Sequence, residues 1–149
     1  MNFDEDIVDK IVEINRFAEK NLGRYNGWNV VFWETHQAAK ADPSGTATKL
    51  YGALSKLVGR ECSVDDLDWI RDVEIQRKLG VPEEFLEWHA YHHLEVINPN
   101  ETVVNVLMET RRHGGDCYLP GIAKAVNFVA DRMEAGDKGF FDASDVYNK

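Results

Sequence analysis

The stretch PEEFLEWHAYHHLEV, residues 82–96, holds three of the five histidines of this 149-residue chain, and its reading decides the fold. Pro82 suits a first helical position because it needs no backbone N–H partner there. Glu83 and Glu84 follow it, where carboxylates suit the positive end of a helix dipole. On helical spacing, Phe85, His89 and His92 fall along one line, and Leu86, Ala90, His93 and Ile97 along the next. The start signals and the spacing predict a helix over residues 82–96.

On such a helix His89 and His93 share a face, a spacing that holds one metal ion. His92 and Glu95 offer a second pair. A third ligand has to come from another segment, with Glu34, His36, Glu109 and His113 as candidates. A divalent transition metal is the cofactor this pattern suggests, and otherwise none is expected. The sharper metal signatures are absent. Ala90 stands where a zincin helix needs Glu, no Glu-x-x-His motif occurs, and Cys62 and Cys117 lie too far apart for zinc-finger spacing. Histidines on an aromatic helix more often sit at the rim of a core, with one nitrogen bonded or wet.

Outward from this stretch, the stripes read as further helices. Ile7, Ile11, Ile14 and Ala18 make an amphipathic helix from about Phe3 to Leu22, closed by Gly23. Residues 30–41 open on Val30, Val31, Phe32 and Trp33, which suits a strand. With no second strand-like run to pair with, the helical rows through His36 and Lys40 prevail. After the breaker Asp42-Pro43-Ser44-Gly45, a one-sided stripe from Ala47 to Val58 is stopped by Gly59. Ser63 with Asp66 resembles a capping box, opening a helix to Leu79. Asn98, Pro99 and Glu101 form a helix start that outweighs the β-branched Val103, Val104 and Val106. Ile122, Val126, Val129 and Met133 mark a last long helix, and residues 142–148 add a turn. The expectation is an all-α fold: residues 1–149 as one compact domain of about seven helices.

Composition bounds the function. A net charge of −9 argues against direct binding to nucleic acid or an anionic membrane, since both need basic patches. No apolar run reaches the ~18 residues a membrane span needs. The acidic N-terminus is unlike a secretory signal, and two unpaired-looking cysteines fit a reducing cytoplasm. No catalytic signature stands out, so an enzyme is the less favoured class.

Charge is concentrated. Residues 61–95 carry ten carboxylates against Arg71, Arg77 and Lys78. Asp65, Asp66, Asp68, Asp72 and Glu74 would share the solvent face of one helix, and Glu83, Glu84 and Glu87 would extend that field. The leading expectation is therefore a small acidic interaction protein, an inhibitor in the manner of immunity proteins, antitoxins or phage-encoded antagonists. Its partner would be a basic protein such as a nucleic-acid-binding one. Two alternatives belong to other classes: a metal-binding protein or metalloenzyme built on His89, His92, His93 and Glu95, and a small-ligand binder. The second would use an aromatic pocket of Trp28, Trp33, Trp88 and Tyr118 with Arg111 and Arg112.

Overall fold

A computed structural model describes residues 4–141 and 143–147, with nothing said of the side chains of residues 143 and 144. The fold is mixed α/β. In chain order it runs α1 (Glu5–Lys20), β1 (Asn29–His36), α2 (Gly45–Val58), β2 (Asp68–Ile70), α3 (Val73–Lys78), β3 (His89–Ile97), β4 (Val104–His113), α4 (Tyr118–Glu134) and α5 (Ala143–Tyr147). The strands form one sheet in the order β2-β1-β3-β4, with β1 parallel to β2 and antiparallel to β3. The expected all-α architecture is thus corrected. Its helix start at Phe3 and parts of its last turn lie outside the described residues.

The correction begins at Pro82. The start signals there are real, but the helix they open is a single 3-10 turn, Glu83–Phe85. From His89 the chain is a strand, flanked by β1 and β4 over nearly its whole length. Residues 98–102, taken as a helix start, are the loop of the β3–β4 hairpin. There the Asn98 side chain accepts from Asn100 N at 2.9 Å, and Thr102 takes a φ of 53°. The same Asx chemistry that caps helices closes a hairpin here. The Ser63–Asp66 box is present as well, but it caps a 3-10 turn and not a long helix.

Three stripes form helices where the periodicity places them, as α1, α2 and α4. α2 buries Leu50, Leu54 and Leu57 completely, each contributing on the order of 2 kcal/mol. Its ends are fixed by Ser44, whose side chain accepts from Ala47 N, and by Gly59 in the left-handed region at φ 66°.

The chain divides into two compact units. Residues Ile11–Gly114 form one; residues up to Lys10 with those from Gly115 onward form the other. In the first, the register aligns Phe32 with Leu94 and Met108, and Glu34 with His92 and Thr110, on one sheet face. α2 lies against that face, with Tyr51 edge-on to Phe32 and Ser44 bonded to Glu34 and His92. On the other face, Val31 and Leu107 are exposed, whereas Tyr91 is buried with its hydroxyl donating to Gly80 O at 3.2 Å. In the second unit, Val8, Ala125, Val146 and Tyr147 cluster with Phe128, and Tyr147 donates to Gly121 O at 3.0 Å. Among the described residues no helix is long and apolar enough to cross a membrane.

Candidate functional site

At the C-terminal end of β1, three polar side chains are buried against one another: Glu34, His36 and His92. Glu34 sits on the α2 face of the central strand with no exposure, so its charge must be answered inside the protein. Four groups answer it. Ser44 N donates at 3.1 and 3.2 Å to the two carboxylate oxygens, and Arg71 Nη2 donates at 2.7 Å to Oε1. His36 Nε2 and His92 Nε2 each lie 3.6 Å from Oε2. Burial pushes this carboxyl up, but the bonds from His36, His92, Ser44 and Arg71 outweigh it and hold Glu34 well below the usual carboxylate range. His36 moves the other way: burial lowers its pKa, against the pull of Glu34.

A second layer fixes these residues. His92 Nε2 shares a 2.9 Å hydrogen bond with Ser44 Oγ, and its Nδ1 shares one of 3.2 Å with Thr110 Oγ1. Gln76, fully buried on α3, donates at 2.6 Å to the His36 carbonyl and pins the end of β1. The connection from β1 to α2, residues 37–44, turns over this cluster and carries Lys40, half-buried and in no ion pair among the described residues. α2 then begins at the edge of the cluster. Gly45 and Thr46 occupy its first two positions, where helix geometry leaves the backbone N–H without an intrahelical acceptor.

Glu34, His36 and His92 offer ligand atoms within 4.8 Å of one another. A cation there would have to share Glu34 with the Arg71 guanidinium and displace Ser44 from both partners. The cluster is built as a hydrogen-bonded, charge-compensated carboxylate.

The residues singled out from the sequence are dispersed. His89 and His93 are four apart on a strand, about 13 Å, too far to share an ion at bonds near ~2 Å. His89 bonds Thr35 at 3.1 Å and the Phe85 and Leu86 carbonyls at 3.0 Å. His93 stacks on Trp33 and pairs with Glu95 and Glu109. Only His92 of that set joins Glu34 and His36, which the sequence offered as third ligands. Trp28 packs edge-on to Tyr25, beside the end of the sheet where Asn29 pairs with Ile97. Trp88, 67% exposed, lies at the opposite end, where its carbonyl accepts from Gly114 N. Arg111 covers the Tyr91 ring and pairs with Glu109, and Arg112 donates to the Gly114 carbonyl. Tyr118 belongs to the other unit.

The acidic residues share no helix face. Asp66 pairs with Arg60 at 2.6 Å, Asp72 caps α3 by accepting from Ile75 N, and Glu74 and Glu83 flank Arg77. Asp65, Asp68, Glu84 and Glu87 are exposed on the 3-10 turns, β2 and a loop.

No family model matches the chain. It is similar, over 94% of its length, to plant proteins named 4-hydroxy-tetrahydrodipicolinate reductase. Identity is 32% to a probable chloroplastic form 1 of Oryza sativa subsp. japonica, and 31% and 30% to chloroplastic forms 1 and 2 of Arabidopsis thaliana. The chain spans about two-fifths of the length of these curated relatives. This similarity points to a domain related to a metabolic enzyme and overturns the acidic-inhibitor expectation.

Proposed function

We propose that this chain is the substrate-side portion of a reductase of the 4-hydroxy-tetrahydrodipicolinate type, binding a heterocyclic dicarboxylate at the start of α2. One convergence carries the reading. The open N–H groups of Gly45 and Thr46, Lys40 on the 37–44 connection and the buried His36 all belong to the end of β1 and the segment leaving it, in a chain 94% of which aligns with such reductases. A helix N-terminus favours an anion through its open N–H groups and its dipole, and Lys40 adds a full charge. Ser44 and Glu34 hold that N-terminus in place.

Reducing a C=C or C=N bond adds one hydride and one proton, and His36 is assigned the proton. Its Nε2 is turned to Glu34, which leaves Nδ1 as the ring nitrogen for a ligand. Burial lowers its pKa, so the imidazolium is a readier acid than a free one, and it returns to neutral imidazole as the reduced product takes its proton. The hydride has to come from a donor held elsewhere. The parallel β1-α2-β2 unit is where this topology would cradle a dinucleotide, yet its turn, residues 37–45, holds one glycine, against the three of a pyrophosphate-binding turn. No nucleotide is placed on this chain. A reducing compartment, the cytoplasm, goes with the reading, since neither Cys62 nor Cys117 is in a disulfide.

Isothermal titration with pyridine-2,6-dicarboxylate tests it. Saturable binding is expected, weakened about tenfold in Lys40→Met by loss of one charge-assisted contact. Absence of heat with the wild-type protein at millimolar ligand would sink the proposal.

A further inference from the structure

Arg71 lies one residue beyond β2, outside the convergence just described, and every arm of its guanidinium is committed. Nη2 donates to Glu34 Oε1 at 2.7 Å and to the Asp42 carbonyl at 3.3 Å. Nε donates to the Lys40 carbonyl at 3.0 Å, and Nη1 to the Ile70 carbonyl at 3.1 Å. The side chain is only 16% exposed. Four of the five N–H donors of an arginine are thus spent on protein oxygens, which leaves no fork to grip a ligand.

The pattern of those bonds has a purpose. Two of the carbonyls, Lys40 and Asp42, belong to the β1–α2 connection, and the carboxylate partner Glu34 also receives Ser44 N at the end of that connection. One guanidinium therefore ties the middle of the loop and, through Glu34, its end to the floor of the sheet. The loop is otherwise exposed at Ala38, Ala39, Ala41 and Asp42, with little apolar burial to hold it.

We infer that Arg71 is the positioning residue that fixes the spacing between the Lys40 ammonium and the open N–H groups of Gly45 and Thr46, and so selects ligands carrying two carboxylates over those carrying one. This rests on the dicarboxylate reading above. A lysine in its place delivers the charge to Glu34 but cannot bridge the loop carbonyls as well, because an ammonium is a point donor where the guanidinium is a planar fork.

The experiment compares pyridine-2,6-dicarboxylate with pyridine-2-carboxylate by calorimetry on the wild-type chain, Arg71→Lys and Arg71→Ala. Wild type is expected to prefer the dicarboxylate, and Arg71→Lys to lose most of that preference while keeping its far-UV spectrum. A loss on the order of tenfold or more is the scale at which displaced binding groups act. If Arg71→Ala remains folded, millimolar ethylguanidinium should restore the preference, a response that a merely structural arginine would not give. An unchanged preference in Arg71→Lys overturns the positioning role and leaves the dicarboxylate reading intact. A wild type that binds neither compound removes that reading, and the positioning role with it. If both variants are unfolded, removal of the arginine is a fold defect and the positioning role is rejected.

Discussion

Glu34 shows how much one buried charge can organise. Replacing it with Gln keeps the shape but leaves Arg71 facing an uncharged amide, and among the described residues Glu34 is the one carboxylate paired with it. Breaking a buried pair from one side costs about 3 kcal/mol or more, and urea denaturation of Glu34→Gln is expected to show a loss of that size. The titration of the same cluster gives a pH prediction. His36 and His89 have pKa values lowered by burial from 6.5, so the unfolded chain takes up protons first and stability falls as the pH drops below about 6.5. Glu34, Asp66 and Glu109 are held below their ordinary values, so their contribution is full above about pH 4.5 and is lost on further acidification. Melting temperatures from pH 8 to 4 should therefore decline in two stages; a flat profile down to pH 5 would contradict the histidine assignment. Of this cluster, His36 and Glu34 were legible only as stray ligand candidates, and Arg71 only as a charge. A buried carboxylate inside Val30-Val31-Phe32-Trp33-Glu34 was the available signal, since such a residue must find partners.

At the scale of elements, the helices were legible and the strands were not, for one physical reason. A strand announces itself by alternation when one face is wet. Along β3 the α2 face carries Ala90, His92, Leu94 and Val96, and the other face begins with His89 and Tyr91, also buried beneath residues 80–89. With both faces covered and polar residues on each, the period of two vanished. The pairing partner thought missing for β1 was this same stretch. α2 was plain because its stripe, its cap and its terminal glycine agree, and each can be tested. Ser44→Ala removes the cap and a bond to His92, and should cost about 1–2 kcal/mol. Gly59→Ala forces a side chain into the left-handed region, where contacts of 3.6 Å or more leave room, so the cost is backbone strain of about 1–2 kcal/mol. Thermal melts of the two variants check both values, and Gly59→Ala as stable as wild type would refute the second.

For the molecule as a whole, the composition that suggested an acidic antagonist is a weak guide, because half of the singled-out carboxylates cap or pair locally and the remainder are solvated on separate elements. What the linear chain conceals most is that the candidate site draws on five distant segments. Ser44 reaches His92 across 48 residues, Glu34 reaches Arg71 across 37, and Thr35 reaches His89 across 54. That topology orders events in time. The β3–β4 hairpin closes through a short loop and can form in microseconds, whereas the central strand β1 is inserted beside it only after long loops have been closed. Contacts that need β1, the 37–44 connection and Arg71 together are the last to gain from closure. Stopped-flow measurements should then find that Leu94→Ala slows folding, while Ser44→Ala and Arg71→Lys leave the folding rate nearly unchanged and accelerate unfolding. A newly made chain would thus carry its hairpin before it carried the assembled cluster around Glu34, which would arrive as the closing step of folding.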